Sequence, residues 1–217
     1  MKLTFVPTLT AASLAIMFAG SAQAIEITAE AAGVTHTTQV TGATVVDFND
    51  ETCGAYGSCA GDLTIFDRPS GTTESAPPPG VDSFYLSVPN PEKNGSALLS
   101  LAAGTTANYF GLFWGSIDSY NTLSFLLDGD TFASFTGDQI ADALPGVASG
   151  NQSDPSSNRF VNFSFGNQLF DAIRLTSNGF AFETDNHTFA TVPEPGTLAL
   201  LALGLTGLVA VRRRKQA

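Results

Sequence analysis

Positive charge is scarce in this chain. Nine Lys and Arg face twenty Asp and Glu, for a net charge of −11. Between residues 25 and 191 only Arg68, Lys93, Arg159 and Arg174 are basic, against nineteen acidic residues, a balance of −15. Such a surface repels nucleic acid and anionic lipid, so nucleic acid is excluded as a partner. Cysteine and histidine are equally sparse, at two each. Cys53 and Cys59 have no third Cys or nearby His to complete a zinc set. Neither His36 nor His187 sits in a recognisable nucleophile motif. The chain also lacks a Gly-x-Ser-x-Gly elbow, a His-Glu-x-x-His pair and a phosphate loop. It therefore reads as a non-enzyme. A glycan-active enzyme stays as a minor alternative, because a β-sandwich glycosidase can keep its two carboxylates on separate strands. No repeat of fixed period occurs, which sets aside solenoids and propellers.

What the chain does have is an apolar run at each end. Met1 and Lys2 open a positive stretch, residues 9–20 are mostly apolar, and Ala22-Gln23-Ala24 supplies a small-x-small cleavage site. Residues 1–24 thus read as a signal peptide for the Sec translocon and signal peptidase. At the other end Val192-Pro193-Glu194-Pro195-Gly196-Thr197 precedes an apolar run over 198–211, then Arg212-Arg213-Arg214-Lys215. Proline fixes φ and lacks an N–H, so the Pro-Glu-Pro segment should stay extended and open to an enzyme. The apolar run is short for a full span, but thinning of the bilayer and snorkelling basic residues let it hold a membrane. The four terminal cations favour the cytoplasmic side. This leaves residues 25–191 as one extracytoplasmic domain.

That domain reads as all-β. Residues 38–48 are rich in Thr and Val, and further strand patterns cover 84–88, 97–102, 108–114, 120–127, 131–135, 159–165 and 169–176. Asp128-Gly129 and Asn178-Gly179 are tight-hairpin signals, the second leading into a strand at 180–183. One helical turn is expected at 138–144. Residues 68–80 and 145–158 read as exposed loops. Short strands between Gly, Pro, Asn and Asp predict a single β-sandwich of jelly-roll type. The seventeen phenylalanines read as its core, with rings on both sheet faces at Phe160, Phe163 and Phe165. In an exported protein Cys53 and Cys59 read as a disulfide closing a glycine-rich loop.

The tail resembles the PEP-CTERM sorting signal, which the membrane protease and transpeptidase exosortase reads. The resemblance implies that Val192, Pro193, Glu194 and Pro195 are the processed motif and that Arg212, Arg213, Arg214 and Lys215 are the stop signal. It also implies passage through the inner membrane to the cell surface or an exopolysaccharide matrix. The stretch from Asn108 to Phe125, with its Trp-Gly-Ser-x-Asp-x-Tyr-Asn core, is similar to a segment of exosortase-dependent surface proteins. Ala181-Phe182-Glu183-Thr184-Asp185-Asn186 is similar to the strand that closes many of them. The same tail is known from ice-binding proteins, but the regular Thr-x-Thr arrays of an ice face are missing here.

Two sites are expected within the domain. Trp114, Tyr120 and Tyr109 flank a polar turn, where a carbohydrate-binding module of jelly-roll type would place rings against a glycan. Asp47, Glu183 and Asp185, with Asp50 and Glu51 nearby, offer hard oxygen ligands for a structural Ca²⁺, although no EF-hand spacing occurs. The favoured function is a non-catalytic protein of the cell surface or exopolysaccharide matrix.

Overall fold

The computed structural model describes residues 24–37, 39–67 and 75–193. The signal-peptide, apolar-tail and basic-tail expectations, together with Glu194, Pro195 and Arg68, lie outside the described residues, save Ala24.

Two antiparallel sheets form a sandwich. The seven-stranded sheet holds β1 (Glu26–Ala29), β10 (Arg159–Ser164), β7 (Tyr109–Trp114), β12 (Phe182–Ala190), β5 (Tyr85–Val88) and β4 (Thr64–Phe66) in that order, with β2 (Thr44–Val46) paired to the far half of β12. The five-stranded sheet runs β3 (Tyr56–Gly61), β6 (Gly95–Leu101), β11 (Ala172–Ser177), β8 (Asn121–Leu127), β9 (Asp130–Thr136). One helix, α1 (Gly137–Ala143), follows β9 behind a capping box of Thr136 and Gln139.

Alternation along the strands sends one set of side chains into a shared core. Phe110, Leu112 and Trp114 meet Leu123, Phe125, Ile173 and Leu175 from the opposite sheet. Phe125 is the hub, with ring centroids 4.5 to 6.2 Å from Phe110, Phe135, Phe163, Phe165 and Phe170. The outer face of the seven-stranded sheet has a second, smaller cluster, where Val81 covers Tyr85, Phe113 and Phe160. Rings therefore lie on both faces of β10, Phe160 outside and Phe163 within. Gly111 makes room for one of them, since a Cβ there would stand 2.4 Å from the Phe160 ring.

Several local expectations change. Only Thr44–Val46 of residues 38–48 is a strand. The strands β1, β3 and β4 were missed because each is short or glycine-broken. The Asn178-Gly179 turn is not a hairpin: β11 lies in the five-stranded sheet and β12 in the seven-stranded one, so the chain crosses between layers there. The proline segment is not simply exposed, because Ser75 and Pro78 are buried against the sheet. Residues 145–155 are mostly exposed, but Ser157 and Asn158 are buried.

Candidate functional site

Four places bear on function, beginning with the point where the chain leaves the fold. Strand β12 ends at Ala190, and the side chain of Asn108 continues its ladder by one step. The Val192 N–H donates to Asn108 Oδ1 at 2.6 Å, and Asn108 Nδ2 donates to the Val192 carbonyl at 2.8 Å. Asn108 Nδ2 also reaches the Gly166 carbonyl. Thr191 Oγ1 donates to the Thr106 carbonyl at 2.8 Å, and the Asn108 N–H to the Ala190 carbonyl at 3.1 Å. Beside this exit lies a groove of about 460 Å³, lined by residues 39–42, Thr44 and 189–193.

The second place is the turn after β7. Trp114 is fully buried, stacked on Phe182 with centroids 4.5 Å apart. Ser116 and Ile117 follow with φ of 60° and 34°, a region that β-branched residues avoid. Packing holds them there: Ile117 is wholly buried, and the Ser116 N–H donates to Asn158 Oδ1 at 2.9 Å. Asn158 in turn donates to the carbonyls of Asn151, Gln152 and Asp154. Asn121 closes the segment by donating to the Ala181 carbonyl at 3.2 Å and accepting from Ser177 Oγ at 2.6 Å. The Trp-Gly-Ser-x-Asp-x-Tyr-Asn residues thus build a braced corner between the sheets.

This corrects the aromatic-contact expectation. Trp114 is 0 % exposed and Tyr109 2 %, with the Tyr109 hydroxyl donating to Asn162 Oδ1. Neither ring can meet a glycan at the surface. The sequence placed them beside a polar turn, but strand alternation sends Trp114 into the core, while Tyr109, on the other face, is capped by the N-terminal segment near Glu30 and Thr37. Tyr120 alone is exposed, its hydroxyl donating to the Phe180 carbonyl at 3.0 Å.

A row of carboxylates sits next to that corner. Glu183 is buried, and its Oε1 accepts the Ala76 N–H at 3.0 Å. Burial pushes its carboxyl up to about 8, with the negative charge of Asp118 adding to the rise. Asp118 rises to about 6 through burial, moderated by a hydrogen bond from Tyr120. Burial lifts the Tyr120 phenol as well, and Asp118 lifts it further. On the same strand Asp185 rises to about 7, through burial first and Asp47 second. The expected calcium ligands are therefore split: Asp185 faces Asp47, whereas Glu183 turns to Ala76 and Asp118. Among the described residues no three His, Cys, Asp or Glu side chains gather as a metal set. Asp50 and Glu51 are exposed, and Asp50 Oδ1 accepts the Thr52 N–H.

Below this row His187 is fully buried, with Nδ1 3.0 Å from the Tyr56 hydroxyl and Nε2 2.9 Å from Thr184 Oγ1. Burial drops its pKa to about 3, so the imidazole is neutral. Both nitrogens are occupied within an aromatic cage of Phe48, Tyr56 and Phe110, and the ring has no opening to a substrate. The Cys53–Cys59 disulfide forms, with Cα atoms 6.4 Å apart, and ties the loop after β2 to β3.

The last place is the outer face of the five-stranded sheet, which sequence reading did not single out. Arg174 stands on the central strand β11, in register with Leu98 on one side and Ser124 on the other. It has no hydrogen bond or ion pair among the described residues. A groove of about 590 Å³ opens beside it, floored by Leu98, Ala172 and Leu126 and edged by Ser100, Asp128 and Asp171.

Residues 191–215 match the family model described as the PEP-CTERM protein-sorting motif. This is a chain with a PEP-CTERM sorting motif. The motif marks a protein that is exported, passes through the membrane and is sorted by exosortase to the cell surface. The match begins at Thr191, one residue after β12. No curated protein matches the sequence. Among solved structures, CsCBM6-3 from Clostridium stercorarium in complex with cellobiose is similar, at 16 % identity over 69 % of this chain and 94 % of that one, with a TM-score of 0.37. At that level neither fold nor ligand follows from the likeness, and the sandwich rests on the strand order itself.

Proposed function

We propose that this PEP-CTERM chain is a non-catalytic β-sandwich protein of the cell surface or exopolysaccharide matrix, processed by exosortase. The observation that carries the reading is the sorting motif at 191–215, which follows the last strand with no linker. In this reading residues 1–24 are removed on Sec export, residues 25–191 form the exported domain, and residues 192–217 hold the chain in the inner membrane until Pro193-Glu194-Pro195 is cut. Intact-mass analysis of envelope and secreted fractions tests it. The product should start at Ile25 and end near the motif in a host with exosortase, and keep its tail when that enzyme is deleted. A tail retained in both strains would reduce the apolar run to a plain anchor and end the matrix reading.

A second reading, glycan binding, is favoured by the groove beside Arg174. An unpaired guanidinium supplies donors, Asp128 and Asp171 supply acceptors, and Ser100 supplies both. That balance suits the hydroxyls of a neutral saccharide, while the surplus of acidic groups disfavours a polyanion. No aromatic platform is present in the groove, so binding should be weak and hydrogen-bonded. Calorimetric titration of the processed protein with neutral cello- and xylo-oligosaccharides checks this. Arg174→Ala should weaken binding by about tenfold with the melting temperature unchanged. Equal affinity in the variant would remove the groove as the site.

A further inference from the structure

We propose that Asn108 is a positioning residue for processing: it latches Thr191 and Val192 onto the folded domain, and exosortase cleavage proceeds through release of that latch. The proposal rests on the reading that exosortase cuts this chain near Pro193-Glu194-Pro195.

The geometry is that of a closed ladder. Both backbone polar groups of Val192 are taken by one side-chain amide, at 2.6 and 2.8 Å. That amide is anchored in turn, since Asn108 is 7 % exposed, its carbonyl accepts the Phe165 N–H at 2.9 Å, and its own N–H holds Ala190. Thr191 is tied separately to Thr106. The last folded residue therefore directly precedes Pro193.

Chain length makes this matter. Only residues 193–197 separate Val192 from the apolar run that starts at Leu198. Five residues reach roughly 17 Å when fully extended, and the interfacial layer of one leaflet already takes about 5–8 Å of that. Before cleavage the domain is thus held against the bilayer with almost no slack. A protease that binds its substrate as an extended strand needs free N–H and C=O groups on both sides of the scissile bond. On the N-terminal side those groups belong to Thr191 and Val192, and Asn108 occupies the ones on Val192. Cleavage then follows the fraction of molecules in which the segment has peeled away.

Pulse-chase of the full-length chain in its own host, read as conversion of precursor to product, tests the latch. Asn108→Ala removes both hydrogen bonds to Val192, and conversion should speed up by about fivefold to tenfold. A Gly-Ser-Gly-Ser insertion between Val192 and Pro193 leaves Asn108 intact and supplies slack. It should accelerate conversion alike, and adding Asn108→Ala to it should bring no further gain. Amide exchange at Val192 should be faster in Asn108→Ala than in the parent. An unchanged or slower rate in Asn108→Ala with a folded domain would overturn the latch. An insertion that gives no acceleration would overturn it even where Asn108→Ala fails to fold. If the wild-type precursor is never converted, the exosortase reading itself falls and the latch with it; conversion at equal rates in all variants sinks the latch alone.

Discussion

Trp114→Ala should strongly destabilise the domain rather than blunt a binding surface. The indole is wholly buried, stacked on Phe182 and set at the end of β7 in the main core. Truncating a buried Trp to Ala costs about 3–5 kcal/mol, because transfer free energy is lost and a cavity remains. Against a total of about 5–15 kcal/mol for a native domain, that removes much of the margin. The strained Ser116-Ile117 corner makes the loss worse, since it persists only while the packing around it over-determines the backbone. Trp114→Phe separates size from polarity. Among the described residues the indole N–H has no acceptor, so Phe deletes an unsatisfied donor and leaves only a volume change. Its cost should be about 1–2 kcal/mol. Chemical denaturation of the three proteins checks the order wild type, Trp114→Phe, Trp114→Ala. Equal stability of wild type and Trp114→Ala would mean that the ring is not in the core. A glycan-binding test built on Trp114→Ala would therefore report lost stability, which is why Arg174 is the residue to change.

The same residues show what the sequence made legible. Alternating Val, Thr and aromatic segments separated by Asp-Gly and similar turns located most of the strands, and the sandwich follows from them. Cys53 and Cys59, alone in an exported chain, announced their own bond. The sorting motif was legible because it is contiguous. Side-chain direction was harder to read. Along β12, Phe182 and Thr184 face inward while Glu183 and Asp185 face outward. Simple alternation would then send Asn186 in and His187 out. Instead the register against β7 slips between Asp185 and Thr188, with Asn186 at φ 51°. The bulge takes up one residue and turns His187 into the core. No local pattern in Thr-Asp-Asn-His-Thr signals that slip. The Asn108 contacts were hidden for a related reason. They join positions 84 residues apart, and an Asn at the head of an aromatic strand carries no mark of its distant partner. Arg174 was overlooked because a single cation on a strand looks like an ordinary solvated charge. Only the registered sheet shows that its cross-strand partners, Leu98 and Ser124, carry no countercharge.

The buried carboxylates of β12 should give this protein an inverted pH profile. Glu183, ordinarily near 4.5, titrates in the folded state at about 8, and Asp185 moves from 3.8 to about 7. Both are protonated in the fold and ionised in the unfolded chain between those limits. The folded state then binds more protons, so stability is fully present below the unfolded values and is lost as pH rises through the folded ones. His187 acts in the opposite sense. Its folded pKa of about 3 lies below 6.5, so its contribution is present at higher pH and is lost on acidification from about 6.5 towards 3. Between 4.5 and 6 three raised carboxyls, Glu183, Asp185 and Asp118, outweigh one imidazole proton, and from 6 to 6.5 Glu183 and Asp185 still do, so stability climbs as pH falls. Below about 4 the raised carboxyls no longer discriminate between states, and His187, joined by the lowered Asp50 and Asp154, sets the slope. The thermal midpoint should therefore peak near pH 4 to 5 and decline steadily to pH 8. Each unmatched proton contributes about 1.4 kcal/mol per pH unit, or a few degrees in Tm for a domain of this size. Above pH 7 Asp185 is ionised in both states, leaving Glu183 as the sole source of the slope. Glu183→Gln keeps an acceptor for the Ala76 N–H while removing the titration beside Asp118, Tyr85 and Tyr120. The variant should match or exceed the wild type at pH 8 and lose the decline between 7 and 8. Melting curves across pH 3 to 9 decide the point: a Glu183→Gln profile parallel to the wild type above pH 7 would place the alkaline limb on some other group.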